Sequence, residues 1–198
     1  MKINILNQST DLFLEQGFKT TTMDFLAESM SVSKKTLYKH FKNKSDLIDQ
    51  AIGVIHLRMS KLMESNRRTN LNAIAESFYI KDKMSELFSA NDHKSMVELQ
   101  QYYPELHKKH NSECSSLIYN HFNYIIRKGQ ASGHFYSDVN IMHVSQFYFT
   151  YALQLYNENN FETFKTIERS ILQYHFRGIS TEKGRKELNK QLLDYDKR

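Results

Sequence analysis

Helical periodicity governs this chain because so little in it can stop a helix. Its 198 residues contain one proline and six glycines. Strands and tight hairpins need such residues to bound and reverse them. Strand-like alternation between turn residues is correspondingly hard to find. Apolar residues instead recur at intervals of three and four, the spacing that puts side chains on one helix face. The pattern predicts an all-α protein.

The first forty-six residues divide into short helices with recognisable ends. Ile5, Leu6, Ser9, Leu12 and Phe13 form one stripe. Gly17 is expected to end that helix in the left-handed αL conformation, with Phe18 folding back on the stripe. Thr22 is the expected N-cap of a second helix carrying Met23, Leu26, Ala27 and Met30. Ser31-Val32-Ser33 interrupts it. Ser33 caps a third helix, and Val32 plugs the core between the two. Asn43 caps a fourth, long helix with Asp46 at its N3 position and a stripe running through Leu47, Ile48, Ala51, Ile55, Met59 and Leu62. Two helices joined by a three- to four-residue turn make a helix-turn-helix, whose second helix enters the DNA major groove.

That second helix lies within Ser33–Lys44, which holds five lysines and no acid. Leu37 and Phe41 anchor one face, leaving Lys34, Lys35, Thr36, Tyr38, Lys39 and His40 to point elsewhere. A solvated surface helix is the plainer reading of such a run; the capped helices around it favour a DNA-facing one. Charge agrees. Residues 1–44 carry seven basic and four acidic side chains, and residues 45–176 thirteen and fourteen. A basic end on a neutral body suits a polyanion partner.

Gly17-Phe18, Thr21-Thr22-Met23, Leu26-Ala27, Val32-Ser33-Lys34, Thr36-Leu37-Tyr38-Lys39-His40-Phe41 and Asn43-Lys44-Ser45-Asp46-Leu47 together resemble the DNA-binding domain of TetR-family transcriptional regulators, in order and spacing, over nearly all of residues 3–52. Two departures stand out. Ser31 occupies a turn position where the family usually has glycine, and Lys35 stands where it often has glycine or alanine. The resemblance implies a helix-turn-helix DNA-binding domain at 1–46, joined by a long helix to a helical ligand-binding and dimerisation domain at 47–198. It implies that the Tyr38 hydroxyl donates to a phosphate. Lys44 and Thr22, at helix starts, suit phosphate as well. Lys34, Lys35, Thr36 and Lys39 are candidates for base edges and flanking phosphates. Ser33 borders the same surface, and His40 either meets the DNA backbone or packs beside Phe41.

Beyond residue 66 the sequence reads as more helices: Asn70 to Phe88, a loop at Ser89–Asp92, a short helix near Lys94–Tyr102, and one from Pro104 to about Lys128 broken by Gly129 and Gly133. A helix capped by Asp138 or Asn140 follows, apolar nearly all round, and then a last long helix and a capped C-terminal one after a break at Gly178. A helix apolar on all sides must be covered on two of them. A partner copy is the expected cover, with Phe147, Tyr151, Phe164, Ile167, Ile171 and Tyr174 at the homodimer interface; a fully buried central helix is the other reading. Twelve tyrosines, thirteen phenylalanines and eight methionines point to an apolar, aromatic pocket for a small ligand, with Phe78, Tyr102, Tyr103, Phe122 and Tyr148 as candidate lining.

His107, His110 and Cys114 share a helix face near Glu113, a spacing compatible with a transition metal. No CxxC or HExxH pair accompanies them, so mixed surface and pocket positions are the plainer reading, and no metal or cofactor is assigned. No catalytic set appears: there is no GxSxG, Walker or Rossmann glycine pattern. Cys114 is the only cysteine, so no intrachain disulfide forms; with no apolar run of membrane-spanning length, a cytoplasmic location is expected. The expected function is a transcriptional repressor that binds double-stranded operator DNA as a homodimer and is released by a small apolar or aromatic ligand. The competing expectation is a helical dimer that binds a small molecule or metal and no operator.

Overall fold

The computed structural model describes residues 1–67, 70–87, 90–157 and 161–195. The regular elements among them are ten helices: α1 (Lys2–Gln16), α2 (Met23–Ser29), α3 (Lys34–His40), α4 (Lys44–Arg67), α5 (Ala73–Leu87), α6 (Ala90–Tyr102), α7 (Pro104–Ala131), α8 (Ile141–Asn157), α9 (Phe161–Ile179) and α10 (Glu182–Tyr195). No helix among the described residues is long and apolar enough to cross a membrane.

The expected caps hold the helix starts. Thr22 accepts from the Phe25 amide, and Ser33 accepts from the Thr36 amide at 3.0 Å. Asn43 accepts from the Asp46 amide at 2.9 Å, while Asp46 reaches back to the Lys42 amide at 2.8 Å. That backbone hydrogen bond, with one from Gln50, holds the Asp46 carboxyl below the usual range. Asn140 caps α8 through the His143 amide. Each such cap is worth about 1 kcal/mol.

Four boundaries differ from the sequence reading. Gly17 ends α1 at φ 95, ψ 151. This is not αL but a nearly extended region that essentially only glycine enters. α6 begins at Ala90, so Ala90–Asp92 are helical rather than loop. Gly129 does not break α7, which runs to Ala131 and ends before Gly133 at φ 70. It is glycine for space: a Cβ there would lie 2.0 Å from the Phe135 ring. Gly178 likewise lies inside α9 rather than breaking it. Phe88, Ser89 and the side chains of Tyr151 and Phe164 lie outside the described residues.

The chain forms two compact units. The first comprises Met1–Lys61 and Glu86–Ser115. Its core gathers Ile5, Phe13, Phe18, Leu26, Leu37, Phe41, Leu47, Ile48, Ile52 and Leu99, with Val32, Met96, Tyr103 and Leu106 packed against it. α6 lies along α1; the Ser95 hydroxyl donates to the Leu14 carbonyl at 2.8 Å, and the Lys19 amide donates to Glu98 at 3.1 Å. This unit therefore extends well beyond residue 46. The second comprises Leu62–Ser85 and Ser116–Arg198. Its core holds Ile74, Phe78, Phe122, Ile125, Ile126, Phe135, Leu172, Phe176 and Leu188. There α9 packs against α8 and α10, and Phe135 bridges to Ser180 through an isolated β-type pairing.

Candidate nucleic-acid interface

The turn between α2 and α3 is a complete helix-ending motif. The Val32 amide donates to the Ala27 carbonyl at 2.9 Å and the Ser31 amide to the Glu28 carbonyl at 3.0 Å. This pair of bonds defines a Schellman ending, with Ser31 at the position that is normally glycine. Ser31 is the only described non-glycine residue with positive φ, at 53°. Val32 follows and packs on the core, which orients the chain into α3.

α3 is anchored by burial on one side only. Leu37 and the following Phe41 are fully buried, each contributing about 1.5–3 kcal/mol. Lys34, Lys35, Tyr38 and Lys39 are exposed. Tyr38 is 53% exposed, so its ring is not a core aromatic. The Ser33 and Thr36 hydroxyls are 2.8 Å apart, occupied with each other at the helix start. Lys34 pairs with Asp24 at 2.6 Å, both well exposed. His40 lies edge-on to Phe41 at 6.3 Å, and its Nε2 is buried without a hydrogen-bond partner.

Lys44 is held rather than extended. Its ammonium donates to the Lys19 carbonyl at 2.9 Å and sits 5.8 Å from the centre of the Tyr103 ring. Burial pushes its pKa down, partly offset by Glu98. Lys19 in turn donates to the Tyr102 hydroxyl at 2.7 Å and lies 4.2 Å from that ring's centre. Lys19 has no helical spacing to mark it in the sequence, and only this tertiary arrangement brings it to notice.

The family model for bacterial regulatory proteins of the tetR family matches residues 5–51. About a quarter of the chain, at its N-terminal end, thus resembles that family. The chain is 36% identical over 52 residues to the biofilm operon icaADBC HTH-type negative transcriptional regulator IcaR of Staphylococcus aureus (strain Newman), covering 26% of this chain and 28% of that protein. It is 46% identical over 46 residues to the uncharacterized HTH-type transcriptional regulator YhgD of Bacillus subtilis (strain 168), covering 23% and 24%. The match thus spans about a quarter of these curated relatives. Solved structures extend the likeness of fold. A transcriptional regulator from Cytophaga hutchinsonii ATCC 33406 aligns with TM-score 0.77 at 17% identity over 89% of this chain and 97% of that one. FadR from Bacillus subtilis, in complex with stearoyl-CoA, aligns with TM-score 0.67 at 20% identity over 90% and 100%.

The five candidate pocket residues are divided between the two units. Tyr102 and Tyr103 belong to the first unit, beside Lys19 and Lys44. Phe78, Phe122 and Tyr148 belong to the second. There Phe122 and Tyr148 stack face to face, 4.2 Å apart and 1° from parallel. His175 lies 5.4 Å and 5.2 Å from their ring centres. Burial pushes the His175 pKa down to about 4, and its Nε2 has no hydrogen-bond partner. An open cleft elsewhere in the second unit, between α9 and α10, is lined by Arg169, Gln173, Arg177, Asn189, Leu192 and Leu193; it is cationic rather than aromatic. Of the expected interface residues, Phe147 is 75% and Tyr174 69% exposed, while Ile167 and Ile171 are half-buried.

Proposed function

We propose that the chain is a DNA-binding transcriptional repressor, acting in the cytoplasm as a homodimer and released from its operator by a small apolar or aromatic ligand. The observation that carries this reading is the one-sided burial of α3. Leu37 and Phe41 hold it to the core while Lys34, Lys35, Tyr38 and Lys39 face outward, in a domain matching the tetR family model. IcaR, a negative regulator by name, supports the sign of regulation.

Tyr38, Lys44 and Thr22 would meet phosphates, and Lys35 and Thr36 base edges, with Ser33, Lys34 and Lys39 flanking them. The division of labour at residue 46 is part of the same proposal. Two heads must address major grooves about 34 Å apart, which requires a dimer. The exposed Phe147 and Tyr174, with Met142 62% exposed on α8, support α8 and α9 as its interface. The ligand is proposed for the second unit, which holds Phe78 and where Phe122 and Tyr148 flank the buried, unpartnered His175 nitrogen; FadR, solved with stearoyl-CoA, supports an acyl or similarly apolar molecule.

The test is binding of the full chain to its own upstream DNA across a salt titration. Lys44→Ala and Tyr38→Phe weaken binding to all sequences alike, and Lys35→Ala or Thr36→Ala changes base preference. If all four substitutions leave affinity and selectivity untouched, α3 is not the reading head.

A further inference from the structure

We propose that His56, His110 and Glu113 form a binding site for a divalent transition-metal ion, with Asp49 as the residue that orients His110. All four lie in the first unit, His56 and Asp49 on α4 and the others on α7. One ligand atom from each of His56, His110 and Glu113 lies within 4.8 Å of the other two. The His56 Nδ1 is 3.3 Å and the His110 Nδ1 3.4 Å from the same Glu113 oxygen. Two atoms bound to one zinc at about 2.0–2.1 Å in tetrahedral geometry stand about 3.4 Å apart. Both separations therefore already have the length of a coordination edge.

The proton positions point the same way. The His110 Nε2 lies 2.8 Å from Asp49. An ionised carboxylate only accepts, so Nε2 carries the hydrogen and a neutral ring keeps a bare lone pair on Nδ1. That Nδ1 is buried and makes no hydrogen bond, in a side chain only 5% exposed. It faces Glu113, also an acceptor. A cation between the two, a proton on Nδ1 or a metal ion, removes that opposition. Carboxylate to imidazole to metal is the arrangement by which a second shell fixes the tautomer of a ligating histidine. Lys109, 2.8 Å from Asp49, keeps that carboxylate ionised.

Two imidazole nitrogens and one carboxylate oxygen suit zinc, cobalt, nickel or ferrous iron, and not magnesium or calcium, which take oxygen ligands. Glu113 is half exposed, leaving a fourth position for water. Cys114 stands outside the cluster, its sulfur directed to Met59 at 3.9 Å. His107 stands outside the cluster. The site does not depend on the chain binding DNA.

The experiment uses the full chain, stripped of metal, titrated calorimetrically with Zn²⁺ and spectroscopically with Co²⁺. One ion binds per chain, with the visible absorption of four-coordinate Co²⁺ and a rise in melting temperature on Zn²⁺ addition. Glu113→Gln, at a half-exposed position that leaves the core untouched, weakens binding at least about tenfold, and Asp49→Asn weakens it about 10- to 100-fold without changing the metal-free melting temperature. His107→Gln and Cys114→Ser bind as the parent does. Absence of binding by the parent chain, or binding by Glu113→Gln and His56→Gln as tight as the parent's, overturns the proposal and leaves a histidine–carboxylate cluster held by protons alone.

Discussion

Replacing Ser31 with glycine should make the protein more stable, although serine loses no core contact by being there. At φ 53 the Ser31 Cβ crowds the following carbonyl, which costs about 1–2 kcal/mol for an L-residue. Glycine removes that cost but adds about 0.4–1 kcal/mol of unfolded-chain entropy. The difference is a net gain of about 0.5–1 kcal/mol. For a chain of this size that corresponds to a rise in melting temperature of about 2 °C. The assay is urea unfolding followed by circular dichroism, where Ser31→Gly raises the midpoint with an unchanged slope. Ser31→Val should move the midpoint the other way, because a β-branched side chain tolerates positive φ least. Ser31→Gly at or below the parent, or Ser31→Val above it, would refute the Schellman geometry of this turn.

Three further outcomes follow from the packing and the buried histidines. Gly129→Ala should cost about 1–3 kcal/mol, read from the same unfolding curves, because its methyl meets the fully buried Phe135 ring. Phe147→Glu combined with Tyr174→Glu should shift the protein from dimer to monomer in sedimentation equilibrium while leaving the melting temperature of the helical fold in place; an unchanged mass removes this face from the interface. Burial holds both His121 and His175 down to about 4, so the folded state resists protons that the unfolded chain binds below its ordinary histidine value of about 6.5. Stability is therefore full above that value and falls as pH drops toward 4, by up to about 1.4 kcal/mol per pH unit for each histidine. Replacing both with glutamine should flatten the melting temperature across that window.

The fold was legible wherever a local signal fixes a local structure. Thr22, Ser33 and Asn43 cap helices because their side chains reach amides three residues on, an event contained within one turn. The stripe through Leu37 and Phe41 fixed the inner face of α3 for the same reason. Gly129 shows where such reading ends. In sequence it looks like a helix stop, yet it serves a ring six residues ahead that reaches it only through the fold. Tyr102 and Tyr103 are pocket candidates in sequence because they are aromatic; the lysines beside their rings come from residues 19 and 44. His56 carried no signal at all, since its companions stand more than fifty positions away and no repeat or spacing links them. Lys19, similarly, is a turn residue until the Tyr102 ring is seen beneath it.

The strand of contacts from α1 to α6 also sets a schedule. Glu98 holds the Lys19 amide, Ser95 holds the Leu14 carbonyl, and Leu99 completes the core around Phe13 and Leu37. A ribosome makes residues 1–61 first, but they stay open along one flank until residues 86–115 have left the exit tunnel. At about 10 residues per second that is a wait of roughly 5 s. During it the nascent lysine-rich segment is exposed beside ribosomal RNA, with its hydrophobic seam uncovered. An excised N-terminal fragment would remain in that condition permanently, so grafting these N-terminal helices onto another protein requires carrying α6 and the start of α7 along with them.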